Sequence, residues 1–402
     1  MWFLLLAFLA QSADFQADGL KALDANKFED AAALFSKAVA ADPKDYGAHF
    51  NLGLAYSMLG RDADAIPEYK TVLELRPGLY EAEMNLGVSL LQTKDAAGAI
   101  PHLKSAVQQK PEEYRPGFYL GEALFADHQY GEAESAYIAA LAINPTSAPA
   151  ELGLGRAVAR EGRRPEAEPH YRKAVALDAS YKDALLELAS LYEDNHQTAE
   201  AIAIFREFPG NAGASERMGA MLLQSGNAAD AIPRLEAAVA QSPTNVNRIE
   251  LAQAYAREKQ PAKAEPLAAL AVAAAPQDTD LRMFYARLLR DQRKFPEAAA
   301  QFLTVTQTKP DLVAAWNELA GVYMVAEKYP EALAAFDHVR TLGAETNANF
   351  FFRGLAYDRL HQPKEALENY NRFLAGSLGA NPNQEFQARQ RVRTLERELG
   401  KR

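Results

Sequence analysis

Apolar residues along this chain recur with helical spacing, and the helices recur with a longer spacing of their own. In one stretch Leu52, Gly53 and Tyr56 fall on one face at i, i+1 and i+4, and Ala65, Tyr69 and Val72 follow at i, i+4 and i+7. Those intervals predict two short helices, each with one face turned to a neighbour. Between them Gly60-Arg61-Asp62 offers a residue tolerant of left-handed backbone geometry and then an aspartate to cap the next helix. Pro77 ends the second helix, because it lacks an N–H and restricts Arg76 before it. The predicted unit is helix, tight turn, helix.

The chain repeats that unit along almost its whole length. One column of small residues runs Gly19, Gly53, Gly87, Gly121, Gly155, Ala189, Gly219, Ala252, Ala286, Ala320 and Gly354. A second is alanine throughout, from Ala31 and Ala65 to Ala332 and Ala366. In both columns the step is 34 residues, apart from one step of 30 and one of 33 at the same places. Two independent columns with shared irregularities define eleven repeats. Each glycine inside a first helix costs about 1 kcal/mol relative to alanine, so the first helices must gain from close approach of a partner. The alanine column offers a small facing surface, with Tyr69, Tyr137, Tyr171, Phe205, Phe302, Phe336 and Tyr370 beside it. One unit cannot bury its own apolar face, so the units must stack.

The pattern of Leu-Gly, a tyrosine three residues on, then Ala, an aromatic, Ala and Pro resembles the tetratricopeptide repeat (TPR) family. It is clearest in Leu52-Gly53-Tyr56-Ala65-Tyr69-Pro77 and in Trp316-Leu319-Tyr323-Ala332-Phe336, and it covers about residues 12–378. The resemblance implies an all-α fold, a right-handed superhelical α-solenoid of stacked helix-turn-helix units with a capping helix at the C-terminal end. The chain departs from the pattern locally. Ala179 and Ala344 replace the terminal proline, and the first unit has Phe15 and Ala22 where bulkier or aromatic residues are usual. The sixth unit is four residues short, its second helix cut at Phe208-Pro209-Gly210. That deletion reads as an irregularity in a continuous array, with a hinge as the alternative. Pro67, Pro101, Pro169, Pro233 and Pro266 fall early in second helices and are expected to be tolerated in the first turn.

The expected organisation is a signal segment over 1–13, repeats one to six over 12–211, repeats seven to eleven over 212–378, and a linker with a capping helix over 379–402. Trp2 to Ala10 is an unbroken apolar run followed by Ser12 and Ala13, which fits a secretory h-region although no Lys or Arg precedes it. The alternative is an apolar first turn packed on the first repeat. Nine apolar residues are too few for a membrane span, and no other stretch is long enough. Export to a periplasmic or extracellular space is therefore expected, with a cytoplasmic location as the alternative. Near the C-terminus Val392, Leu395 and Leu399 form the stripe of a helix near Phe386–Leu399. Its arginines read as a solvated cap suited to the helix dipole.

Composition narrows the chemistry. With no cysteine, the chain has no disulfide, thiolate metal site or cysteine nucleophile. A net charge of −10 over 402 residues argues against a nucleic-acid partner. No two of the seven histidines are spaced for a helical metal pair. Gly153-Leu154-Gly155 has the start of a dinucleotide motif but no third glycine, because Val158 stands there. No enzyme, metal or cofactor is expected.

The resemblance implies a concave surface lined by first helices. The positions it implies are apolar in repeats two to four: Phe50 and Leu54, then Met84, Val88 and Leu91, then Phe118 and Phe125. A contiguous exposed apolar strip marks an interaction site, and tight closure of the array or a covering element would bury it instead. Asn51 and Asn85 occupy a column that hydrogen-bonds a peptide backbone in some TPR grooves. The carboxylate clamp of heat-shock co-chaperones is not reproduced, since only Asn85 and, loosely, Arg115 match it. Repeat six is acidic with Asp183, Glu187, Glu193 and Asp194, and repeat five offers Arg156 and Arg160; such runs read as solvated faces or as a patch orienting a charged partner.

The function expected is a non-catalytic scaffold holding a protein or peptide partner in its groove. Neither the partner's identity nor the oligomeric state is legible. The alternatives are an assembly subunit of an envelope or secretion complex acting through its outer surface or ends, and, by family analogy alone, an accessory domain of a cell-wall or polysaccharide enzyme.

Overall fold

The computed structural model describes residues 14–400. The apolar run expected to direct export lies outside them. Among the described residues there are helices and turns but no strand. The chain divides into two compact units, 1–204 and 205–402, and the division falls inside the short sixth repeat.

The first unit holds α1 (14–24), α2 (Phe28–Ala41), α3 (Tyr46–Met58), α4 (Asp62–Leu75), α5 (Tyr80–Gln92) and α6 (Ala96–Gln109). It continues with α7 (Tyr114–Ala126), α8 (Tyr130–Ile143), α9 (Ala148–Arg160), α10 (Arg164–Leu177) and α11 (Ala184–Asp194). The eight-residue α12 (Thr198–Phe205) ends one residue past the division. The second unit holds α13 (Ala212–Gln224), α14 (Ala228–Gln241), α15 (Asn245–Arg257), α16 (Pro261–Ala274), α17 (Thr279–Asp291) and α18 (Phe295–Thr308). After them come α19 (Val313–Val325), α20 (Tyr329–Thr341), α21 (Asn347–Arg359), α22 (Pro363–Ser377) and the cap α23 (Pro382–Gly400). Odd-numbered helices up to α21 are the first helices of repeats. From α3 to α10 and from α13 to α22 the helices pair in hairpins, and within each unit the second helix of a hairpin packs on the first helix of the next.

The glycine column works through rings. A Cβ added at Gly53 would lie 2.8 Å from Cε1 of Tyr69, and one at Gly121 would lie 2.7 Å from Cε1 of Tyr137. The expectation that alanine faces the glycine is corrected here: the aromatic sixteen residues on lies directly over it. Alanine packs alongside, fully buried at Ala65 and Ala133. Gly153 and Gly155 of the dinucleotide-like run are packing residues too, covered by Tyr137 and Tyr171.

The corner at Gly60 is left-handed as expected, with φ +68°. Asp62 does not cap α4. It is already the first helical residue, and its carboxylate accepts from Ser89 Oγ at 2.7 Å. The turn is closed instead by the Arg61 N–H, which donates to the Tyr56 carbonyl at 2.8 Å. The five internal prolines are tolerated, but each sits at the sixth position of its helix, beyond the first turn. They are all exposed, as are the residues four before them, so the carbonyls they leave unbonded meet water. At the C-terminal end α23 buries Ala388 and Leu395 against the last repeat, with Val392 half-buried beside them.

Candidate functional site

In the first unit the expected apolar strip is largely occupied by the protein itself. Met84 is only 5% exposed and is core, so it is withdrawn from any binding surface. Phe118 is half-buried in an aromatic cluster, 5.6 Å from Tyr114, 5.3 Å from Tyr119 and 6.3 Å from Tyr137 between ring centroids. Phe50 leans on Tyr69 at 5.9 Å and Phe125 on Tyr130 at 5.4 Å. Leu91 and Asn51 are half-buried as well. Leu54, Asn85 and Val88 do come together, with Met58, Gln92 and Arg115, around a recess of about 410 Å³.

The floor of that recess is polar. Ser57 Oγ lies 3.1 Å from the Tyr69 hydroxyl and 3.3 Å from Ser89 Oγ, which donates to Asp62. Burial, more than its neighbours' charges, pushes the Tyr69 hydroxyl up to about 12, so it stays a neutral hydrogen-bonding group. The opposed charges of repeats five and six satisfy one another: Arg156 donates to Glu187 through Nε at 3.0 Å and Nη2 at 2.9 Å. That geometry removes Arg156 and Glu187 from the patch expected to orient a charged partner.

The second unit has a different first-helix face. One recess of about 390 Å³ is lined by Asn317, Gly321, Met324, Val325, Phe336 and Phe352, among others. A second, of about 500 Å³, lies toward Arg290, Ala314 and Glu318 and shares Asn317, Gly321 and Val325 with the first. Together they make one apolar trough across α17, α19 and α21. Val325 is 62% exposed and Phe352 is 36% exposed. At one edge Asn349 Nδ2 donates to Asn317 Oδ1 at 2.8 Å, which leaves the Asn317 amide N–H groups to offer. At the other, Arg287 and Arg290 both donate to Glu318.

Sequence reasoning missed these residues, although a signal was present. Gly321 is a mid-helix glycine one position after the small-residue column, where no ring has to pass. A Cβ there would meet nothing within 4 Å. Among the described residues no group of His, Cys, Asp and Glu is placed to hold a metal ion. No described helix is long and apolar enough to cross a membrane.

Comparison with known proteins agrees with this architecture. One tetratricopeptide repeat profile matches residues 17–80, 63–114, 152–216 and 286–344, and a second matches 90–150 and 222–288. No enzyme family is among the matches, and no curated protein matches significantly. Among solved structures, MamA from Desulfovibrio magneticus RS-1 is 24% identical over 42% of this chain and 96% of its own, with a TM-score of 0.40. YrrB, described as a TPR protein with an unusual peptide-binding site, is 22% identical over 41% of this chain and 85% of its own, with a TM-score of 0.39. The family profiles together account for most of the repeats read from the sequence, and the chain belongs to the tetratricopeptide repeat family.

Proposed function

We propose that this protein is a non-catalytic scaffold that holds protein segments against its first helices, with the trough across α17, α19 and α21 as its principal site. Gly321 carries the reading. The glycines of the small-residue column lie under rings or leucines that need the space, whereas Gly321 has open space above it. A mid-helix glycine costs about 1 kcal/mol, and at Gly321 no packing contact offsets that cost. What it does is keep the trough open between Val325 and Phe352. A preformed apolar trough with a few amide groups at its rim suits a short apolar segment whose backbone needs hydrogen bonds. The Leu54, Asn85 and Val88 recess of the first unit is a second, more polar contact surface in the same proposal.

A photocrosslinking amino acid placed at Val325 or Phe352, in cells expressing the full chain, should give protein adducts. The same probe at Ile138, an exposed apolar residue on α8 of the first unit, should not. Equal labelling at all three positions would reject the trough.

The C-terminal end favours a second reading, assembly through an end face. Leu378 is 91% exposed and Phe386 is 65% exposed, and Phe386 borders a recess of about 630 Å³ with Phe351, Leu355 and Tyr370. Light scattering that shows self-association, lost in Leu378→Ser/Phe386→Ser, would establish that role. A monodisperse single chain at high concentration would dismiss it. Export belongs to the proposal on the strength of residues 2–13 alone, and sequencing the mature N-terminus tests it.

A further inference from the structure

This inference rests on the reading of first helices as the binding face, and it gives one part of that face a ligand chemistry. Five residues before the small-residue column, five repeats bury an alanine: Ala48, Ala82, Ala150, Ala214 and Ala315. In α15 the position is Asn247, fully buried. Its Nδ2 donates to the Ser242 carbonyl at 2.9 Å and to Glu216 Oε2 on α13 at 3.3 Å. Two acceptors therefore fix which way the amide points. Its Oδ1 is buried with no hydrogen-bond partner among the described residues.

One turn along the same helix, Glu250 Oε2 is also buried and unpartnered. Burial first, and the charge of Glu216 second, raise the Glu250 pKa, so its carboxylate is held in an environment that disfavours it. Arg217, next to Glu216, has its guanidinium over the Phe205 ring at 5.0 Å. Asn349, at the same column position in α21, shows that such an asparagine can be satisfied internally. It donates to Asn317, and its Oδ1 accepts from the Thr346 N–H at 2.7 Å and from Thr346 Oγ1 at 2.5 Å. Two orphaned acceptors and two carboxylates on adjacent first helices call for a cation.

We propose that Glu216, Asn247 and Glu250 form a subsite for the ammonium of a lysine side chain carried by the bound segment. An ammonium is a compact charge with three rotatable donors, and here three separate side chains supply the acceptors. A guanidinium fork suits the two free oxygens of one carboxylate, whereas here Glu216 Oε2 already accepts from Asn247 Nδ2.

The test is a display selection of random 12-residue peptides on the full-length protein, followed by affinity measurement of the selected peptides. Lysine should be enriched. Affinity should fall about tenfold or more in Glu216→Gln/Glu250→Gln, and several-fold in Asn247→Ala. That second variant restores the alanine that other repeats bury at this position, Ala214 in the preceding repeat among them, and so keeps the fold. Acetylating the peptide lysine should reproduce the loss on the unmodified protein, which keeps the test independent of variant folding. Peptides selected without lysine enrichment, or binding natively and after acetylation alike, would overturn the subsite while leaving the trough standing. Failure to select any peptide would overturn the groove reading and the subsite with it.

Discussion

The two units build their first-helix faces from the same repeat and finish them differently. In the first unit the aromatic residues of α3 and α7 turn toward rings of their own hairpins: Phe118 joins Tyr114, Tyr119 and Tyr137, and Phe50 meets Tyr69. In the second, Val325 and Phe352 stay open because Gly321 and Ala348 supply no side chain large enough to cover them. Hydrophobicity of a column therefore does not make a binding surface. The volume of the residues flanking it decides whether the column stays open.

Two glycines give the largest test of that contrast. Gly121→Leu drives a side chain into the Tyr137 ring and should destabilise the first unit by about 3 kcal/mol. Gly321→Leu enters open space, gains helix propensity and should stabilise the second unit by up to about 1 kcal/mol while abolishing crosslinking at Phe352. Urea denaturation reads both. Equal signs would mean that the trough is not the open feature described here.

Two phenylalanines sharpen it. Phe118→Asp breaks a four-ring cluster and should cost about 2–3 kcal/mol, so loss of a partner in that variant would report unfolding. Phe352 is more exposed, with Phe351 as a ring neighbour at 5.5 Å between centroids, so Phe352→Asp should cost about 1 kcal/mol or less. Circular dichroism melts separate these outcomes, and a cheap Phe118→Asp would return that residue to the candidate surface.

Architecture was legible because it is periodic: the glycine and alanine columns and the shared short step place nearly every helix before any coordinate is seen. The C-terminal stripe Val392, Leu395 and Leu399 was legible for the same reason. Side-chain destination was not. Whether Met84 lies in the core or in a groove depends on how far one hairpin turns past the next, and no single repeat encodes that. The cap predicted at Asp62 failed because Arg61 closes the turn through its backbone, which any residue can do. Gly321 and Asn247 were both visible as departures from their columns. Their meaning emerged only once burial showed one with space above it and the other with an acceptor unmet.

The smallest expected effect concerns Glu250, and it tests whether the second unit carries charge that folding alone does not favour. Burial and Glu216 raise the Glu250 pKa above its ordinary value of 4.5. Between 4.5 and the higher folded value, the folded state binds more protons than the unfolded state, so stability falls as pH rises through that window. The cost is complete above the folded value and absent below 4.5. Glu250→Gln should therefore raise the melting temperature at pH 7, and the gain should shrink to nothing as pH is lowered past 4.5. Glu385 at the cap runs the other way, because Ser377 and Arg389 donate to its carboxylate and lower its pKa. Its contribution is present above 4.5 and is lost as pH falls through the lower folded value, so Glu385→Gln should lower the melting temperature at pH 7. Opposite signs from two glutamates of one unit would separate a carboxylate held for a partner from one held for the fold. A Glu250→Gln melting temperature that falls at pH 7 would place Glu250 with Glu385, among the groups that stabilise the chain itself.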